Sequence, residues 1–80
     1  MRRVTKEEFK FLLGNRIREI REGKGLTQEN LASKMGYKDK QVVNRYENEG
    51  ANPTTYNLIQ ISEALETNIS DLLNFLDLET

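Results

Sequence analysis

The six residues from Lys40 to Arg45, Lys-Gln-Val-Val-Asn-Arg, gather most of the recognition chemistry in this sequence. An arginine can donate two parallel bonds to the edge of guanine, a glutamine or asparagine amide can pair with adenine, and a valine methyl can pack on the methyl of thymine. If the segment is helical with Val43 toward a core, Gln41 and Arg45 lie at about 160° and 200° from it. Both then point outward, with Val42 and Asn44 on the flanks. Reactive chemistry is missing by comparison. The chain of 80 residues has no cysteine and no histidine, which removes disulfides, thiolate metal sites and the commonest general base. Ser33, Ser62 and Ser70 have no imidazole to activate them. The expectation is therefore a protein that is not an enzyme and has no cofactor, no metal and no evident small-molecule ligand.

The formal net charge of −1 argues against a polyanionic partner until its distribution is read. All 12 basic residues fall within residues 1 to 46, against 6 acids there, while residues 47 to 80 carry 7 acids and no base. Such asymmetry between halves hints at nucleic acid, although the acidic half also reads as plain solvated surface. The longest apolar run, Phe11-Leu12-Leu13, is far short of the roughly 20 residues of a membrane span. With no secretory pattern after Arg2 and Arg3, the expected location is cytoplasmic.

Five helix signals position these residues, and no stretch alternates in the manner of a strand, so the expected class is all-α. Thr5 with Glu8 forms a capping box opening helix one, whose stripe is Phe9, Leu13, Ile17 and Ile20, closed by Gly23 and Gly25. Thr27 caps a short helix two with Leu31, Ala32 and Met35 inward, ended by Gly36. Asp39 is expected to cap helix three, which turns Val43 and Tyr46 inward. Only Gly36, Tyr37 and Lys38 separate the pair, a tight turn of the helix-turn-helix kind. Asn52 before Pro53 reads as the cap of helix four, with Leu58, Ile61, Ser62 and Leu65 at helical spacing. Thr67 and Asn68 are expected in a left-handed turn, and Ser70 as the cap of helix five with Leu72, Leu73 and Leu76. A chain of this length holds one core, so residues 1 to 80 are read as a single domain.

From Leu13 to about Phe75 the sequence resembles the Cro/lambda-repressor-like helix-turn-helix domains, the XRE family. The carriers are Leu13-Gly14-Asn15-Arg16-Ile17-Arg18 with Arg21, then Gly25 through Ala32 (Gly-Leu-Thr-Gln-Glu-Asn-Leu-Ala), Gly36, Val43-Asn44-Arg45-Tyr46-Glu47, Gly50, Asn52-Pro53-Thr54, Leu58 and Ala64-Leu65. Residues 5 to 12 extend helix one beyond the usual start. The resemblance implies a compact five-helix fold in which helix three reads DNA through Lys40, Gln41, Val42, Asn44 and Arg45. The turn before helix three is one residue longer than the family pattern, which leaves open whether Lys40 reaches a base or only the backbone. Thr27 and Gln28, at a helix N-terminus that favours phosphate, are implied to hold the DNA backbone, Gln28 also orienting the reading helix. Lys38 borders that surface, and Asn52, Thr54 and Thr55 occupy the loop and helix start that meet the backbone in this family. Glu47 and Glu49 depart from a DNA-facing pattern by their charge.

Glu47 lies four residues beyond Val43 and shares its inward face, so its carboxylate needs a partner. Arg21, four beyond Ile17, is the natural one, and the resemblance implies the same bridge. Arg16, Arg18 and Lys24 read as solvated helix surface, with a phosphate contact open to them. Phe9, Phe11 and Leu12 either cap the core or form a dimer contact. The function so implied is a sequence-specific DNA-binding transcriptional regulator, a repressor, acting on double-stranded DNA. Because one short helix reads too few base pairs alone, a homodimer is expected, with helix five, and Leu76 and Leu78 at its end beside Phe75, as the pairing surface. The alternative is a protein-interaction module on the same fold, such as an antitoxin gripping a toxin.

Overall fold

A computed structural model of the chain describes residues 4 to 76, with side chains to Phe75. The elements are α1 (Lys6–Gly23), α2 (Gln28–Lys34), α3 (Gln41–Asn48), α4 (Thr55–Ala64) and α5 (Ile69–Leu72), followed by one 3₁₀ turn (Asn74–Leu76). Among the described residues there is no strand, and the fold is all-α.

The helix starts are set by side chains that satisfy the free N–H groups of the first turn. Thr5 and Glu8 form the reciprocal capping box expected of them. Thr27 does the same with Asn30, and Thr54 with Asn57. The cap of α4 is thus Thr54, where the sequence points to Asn52. A box satisfies two backbone donors at once, and Asn57 supplies the second bond that nothing supplies for Asn52. Asn68, not Ser70, caps α5 by accepting the Asp71 N–H at 2.7 Å. The residue at the cap position of α3 is Lys40, which makes no side-chain capping bond. Asp39 sits one place earlier and accepts the Gln41 N–H at 3.0 Å.

Three helices end in the same device, in which a residue of positive φ lets two amides bond back to the last turn. Gly25 closes α1 at φ 72°, and Gly36 closes α2 at φ 90°. In the second case the Gly36 N–H bonds the Ser33 carbonyl and the Tyr37 N–H bonds the Ala32 carbonyl. Gly23, expected to stop α1, is its last helical residue. After α4 the left-handed residue is Glu66, at φ 56°, while Asn68 is extended. The left-handed position follows the last core residue, Leu65, so Glu66 must occupy it whatever its own preference. The connection between α2 and α3 runs from Met35 to Lys40, longer than the three residues expected, because α3 begins only after the Asp39 turn.

The core is Leu13, Ile17, Leu31, Ala32, Met35, Val43, Tyr46, Ile61, Ala64, Leu65 and Leu72. Helix α1 runs through its middle and packs against α3, α5 and the 3₁₀ turn. Phe9 caps one end, its ring 5.9 Å from that of Phe75, whereas Phe11 is exposed. Burial raises the pKa of Tyr46 above the usual tyrosine value, with the nearby Tyr37 adding to it. Among the glycines the tightest site is Gly14, where a Cβ would lie 2.5 Å from the Tyr46 carbonyl oxygen and 3.0 Å from that of Glu47. Only a residue without a side chain lets the two helix backbones meet this closely.

Two glycine exchanges should therefore move stability in opposite directions. Gly14→Ala is expected to cost about 1 to 3 kcal/mol even after its gain in helix propensity, because backbone, not a flexible side chain, must move. Glu66→Gly is expected to add about 0.5 to 1 kcal/mol by relieving a left-handed residue, less the greater chain entropy of glycine. Urea denaturation of both variants checks this, and a more stable Gly14→Ala would contradict the crossing.

Candidate nucleic-acid interface

The face offered by α3 follows from which of its residues the core consumes. Val43, Tyr46 and Glu47 are buried, Val42 and Asn44 are half-buried, and Gln41 and Arg45 are exposed. Val42 also packs against the core cluster, leaving only part of its methyl surface outward. Lys38, Lys40 and Arg45 are exposed and make no ion pair or side-chain hydrogen bond among the described residues. Three cations and an amide therefore stand free along the turn and the outer face of α3.

A cleft between the starts of α2 and α3 brings Thr27 and Gln28 together with Lys40 and Gln41, its walls completed by Arg21, Leu26, Glu29 and Asp39. Lys38, Asn52, Thr54 and Thr55 lie outside it. They are exposed in the α2–α3 turn and at the approach to α4. Thr27 and Thr54 spend their hydroxyl oxygens as acceptors for the Asn30 and Asn57 N–H groups. Each retains its hydroxyl proton and one lone pair for a further partner.

Beneath this surface the Glu47 carboxylate has no exposed side-chain area. Arg21 donates to it twice, Nε to Oε2 at 2.7 Å and Nη2 to Oε1 at 3.0 Å. The fork is bidentate, the strongest arrangement for this pair. The third guanidinium nitrogen, Nη1, donates to the Leu26 carbonyl at 2.7 Å, which ties α1, the α1–α2 turn and α3 to one group. The Glu47 bond raises the Arg21 pKa above its usual value, against an opposing effect of burial. Gln28 joins the cluster through Nε2, 3.1 Å from Glu47 Oε1. One of its two amide N–H bonds is thus already committed to the protein interior.

Arg18 completes the set, where sequence reading assigns it to solvated surface with a phosphate contact open to it. Its Nε lies 3.4 Å from Glu47 Oε1 and its Nη2 donates to the Glu47 carbonyl at 3.4 Å and to Asn48 Oδ1. The signal is present in the spacing, since residues 18 and 21 are neighbours on one helix flank and so meet the same partner. Arg16 is likewise no free surface cation. Its Nε donates to the Asp71 carbonyl at 2.9 Å and its Nη1 to Glu19 at 2.8 Å, while Lys24 Nζ reaches the Glu66 carbonyl at 3.4 Å. The negative charge of Glu47 never reaches the surface. Glu49 remains exposed and accepts from Asn44 Nδ2 at 3.2 Å.

Residues 17–72 match the family model HTH_3, helix-turn-helix. The chain belongs to the HTH_3 helix-turn-helix family, of the XRE, Cro-like type. Among solved structures, the restriction-modification controller protein C.AhdI from Aeromonas hydrophila is 33% identical, with a TM-score of 0.74 over 80% of this chain and 91% of its own. The controller protein C.Esp1396I in a nucleoprotein complex is 28% identical, with a TM-score of 0.78 over 90% of this chain and 96% of its own. An HTH_3 family transcriptional regulator from Vibrio cholerae is 25% identical, with a TM-score of 0.80 over 89% of this chain and 39% of its own. No curated protein sequence matches significantly. This HTH_3 chain is a DNA-binding transcription regulator, and among its described residues no helix is long and apolar enough to cross a membrane.

The cluster under α3 yields a stability contrast. Arg21→Ala is expected to cost about 3 to 5 kcal/mol by leaving Glu47 buried without its bidentate partner. Arg18→Ala removes a longer, half-exposed contact and should cost no more than about 1 kcal/mol. Thermal melts followed by circular dichroism compare them, and equal losses would show that the pair at 2.7 Å is not the dominant one.

Proposed function

We propose that the chain is a transcriptional repressor that inserts α3 into the major groove of an operator as a homodimer, in the cytoplasm. The observation that carries this reading is the pair Gln41 and Arg45, exposed and free on the face of α3 opposite Val43. Arg45 would read guanine and Gln41 adenine, with Val42 and Asn44 contributing at the edges of the contact. Lys40 stands at the start of the same helix, within reach of a base or of the adjoining phosphate. Thr27, Gln28, Lys38, Asn52, Thr54 and Thr55 would hold the DNA backbone, Gln28 through the amide N–H that Glu47 leaves free. Dimerisation follows from the size of the reading unit, since one short helix spanning about four or five base pairs specifies too little sequence in a genome. The pairing surface suggested by Leu76 and Leu78 lies outside the described side chains, Phe75 alone being described. Controller proteins of restriction-modification systems, one of them in a nucleoprotein complex, support the comparison.

Selection from random duplex DNA at fixed salt should return one preferred site. On it, Arg45→Ala and Gln41→Ala are each expected to lose about 1 to 3 kcal/mol, with little loss on random DNA and relaxed preference at one or two base pairs. Gln28→Ala should weaken every sequence alike. If neither α3 variant binds the selected site more weakly than the parent, α3 is not the reading helix.

A two-fold dimer requires an inverted repeat, with half-sites about 10 base pairs apart if both helices enter one face of the duplex. Footprinting together with light scattering of the complex should show both halves protected by two chains. Protection of a single half-site by one chain would refute the dimer.

A further inference from the structure

Asn44 is half-buried on the flank of α3, and its amide is not free to rotate. Asn48, four residues on, donates from Nδ2 to Asn44 Oδ1 at 2.7 Å. Asn44 Nδ2 in turn donates to Glu49 Oε2 at 3.2 Å. The direction of the chain is dictated from both ends, because Arg18 is a donor only and presents Nη2 to Asn48 Oδ1, while the Glu49 carboxylate is an acceptor only. With its oxygen held by Arg18, Asn48 must offer N–H groups to Asn44, which must offer its oxygen and keep its NH₂ for Glu49. An amide has two acceptor lone pairs and two N–H donors, so after these bonds Asn44 retains one of each. One acceptor and one donor are what the edge of adenine, N6–H and N7, requires in the major groove.

We propose that Arg18 is a positioning residue for base recognition, which holds the Asn44 amide through Asn48 in the orientation that selects adenine. The inference rests on the reading of α3 as the groove helix. Arg18 does not touch the base. Its guanidinium spans from Glu47 to Asn48, so the last turn of α3 and the reading amide are aligned by the same group. Without it Asn48 is released to turn over and can present its oxygen to Asn44 Oδ1, so the Asn44 amide keeps only its contact with the exposed Glu49 carboxylate and the edge it offers is held less firmly.

The full chain serves for the test, with binding to the selected site and to versions changed at each base pair in turn. Asn44→Ala, Asn48→Ala and Arg18→Ala are compared at one salt concentration, at a temperature where circular dichroism shows all three folded. Each is expected to lower discrimination at one and the same A·T pair about five- to tenfold, the range of a single good base contact. Preference at the pairs set by Arg45 and Gln41 should stay as in the parent, and Arg18→Ala combined with Asn48→Ala should do no more than either alone. Asn48→Ala leaves the Arg21 fork in place, so its effect cannot be attributed to a weakened core. A uniform loss across all sequences for Arg18→Ala would make it a phosphate or structural contact and overturn the proposal. So would an unchanged preference for Arg18→Ala or Asn48→Ala where Asn44→Ala relaxes it. If Asn44→Ala changes no preference while Arg45→Ala still does, the relay is wrong and the groove reading of α3 stands. If neither changes any, both fall together.

Discussion

One buried carboxylate organises this molecule. Glu47 lies on the inward face of α3, where an uncompensated charge would be costly, and it is compensated by three side chains from two other helices: Arg21 and Arg18 from α1, and Gln28 from the start of α2. The buried charge is not obviously a source of net stability, since apolar residues of similar volume often do as well in such places. Its value lies in direction. A bidentate fork has one good geometry, and the third nitrogen of Arg21 is taken by the Leu26 carbonyl, so the pitch of α3 relative to α1 and the entry into α2 are specified together. Apolar contacts alone would permit sliding.

The close crossing at Gly14 makes that geometry possible. With carbonyl oxygens of Tyr46 and Glu47 within 3.0 Å of where a Cβ would sit, α3 rests directly on the backbone of α1. Glu47 is thereby brought low enough for the Arg21 fork to close around it. Dispersion packing and electrostatics are coupled here, as one small residue sets the distance over which the ion pair acts. The outward face of α3 is then held against a packed support, which the proposed base recognition needs if its donors and acceptors are to be aligned in advance.

Charge is allocated with similar economy. The basic half of the sequence does not become a uniformly positive surface, because Arg16, Arg18, Arg21 and Lys24 are each bonded to carboxylates or carbonyls. Of the described cations left free, Lys38, Lys40 and Arg45 gather on the α2–α3 turn and the outer face of α3, while Lys6, Lys10 and Lys34 are dispersed over α1 and α2. A net charge near zero is therefore compatible with binding a polyanion, since the local field at α3 and not the total decides attraction.

The sequence alone was sufficient for the class of fold, the helix-turn-helix, the inward and outward faces of α3, and the pairing of Arg21 with Glu47. These are properties of periodicity, which acts on residues a few places apart, and of the cost of burying charge, which demands a partner even 26 residues away. It was misleading where two local signals compete. Asn52 or Thr54 and Ser70 or Asn68 are all acceptable caps in isolation, and the choice went to whichever had a reciprocal partner or the room left by the preceding turn, whereas at α3 the turn made by Asp39 leaves Lys40, which has no oxygen to cap with, at the cap position. The left-handed place went to Glu66 over Asn68 because the packing of Leu65 decided where α4 ends. What only tertiary structure decided is the fate of the α1 arginines. Arg16 and Arg18 look alike in sequence, but one faces the C-terminal segment and the other the end of α3, and that difference depends on a crossing between helices some 30 residues apart.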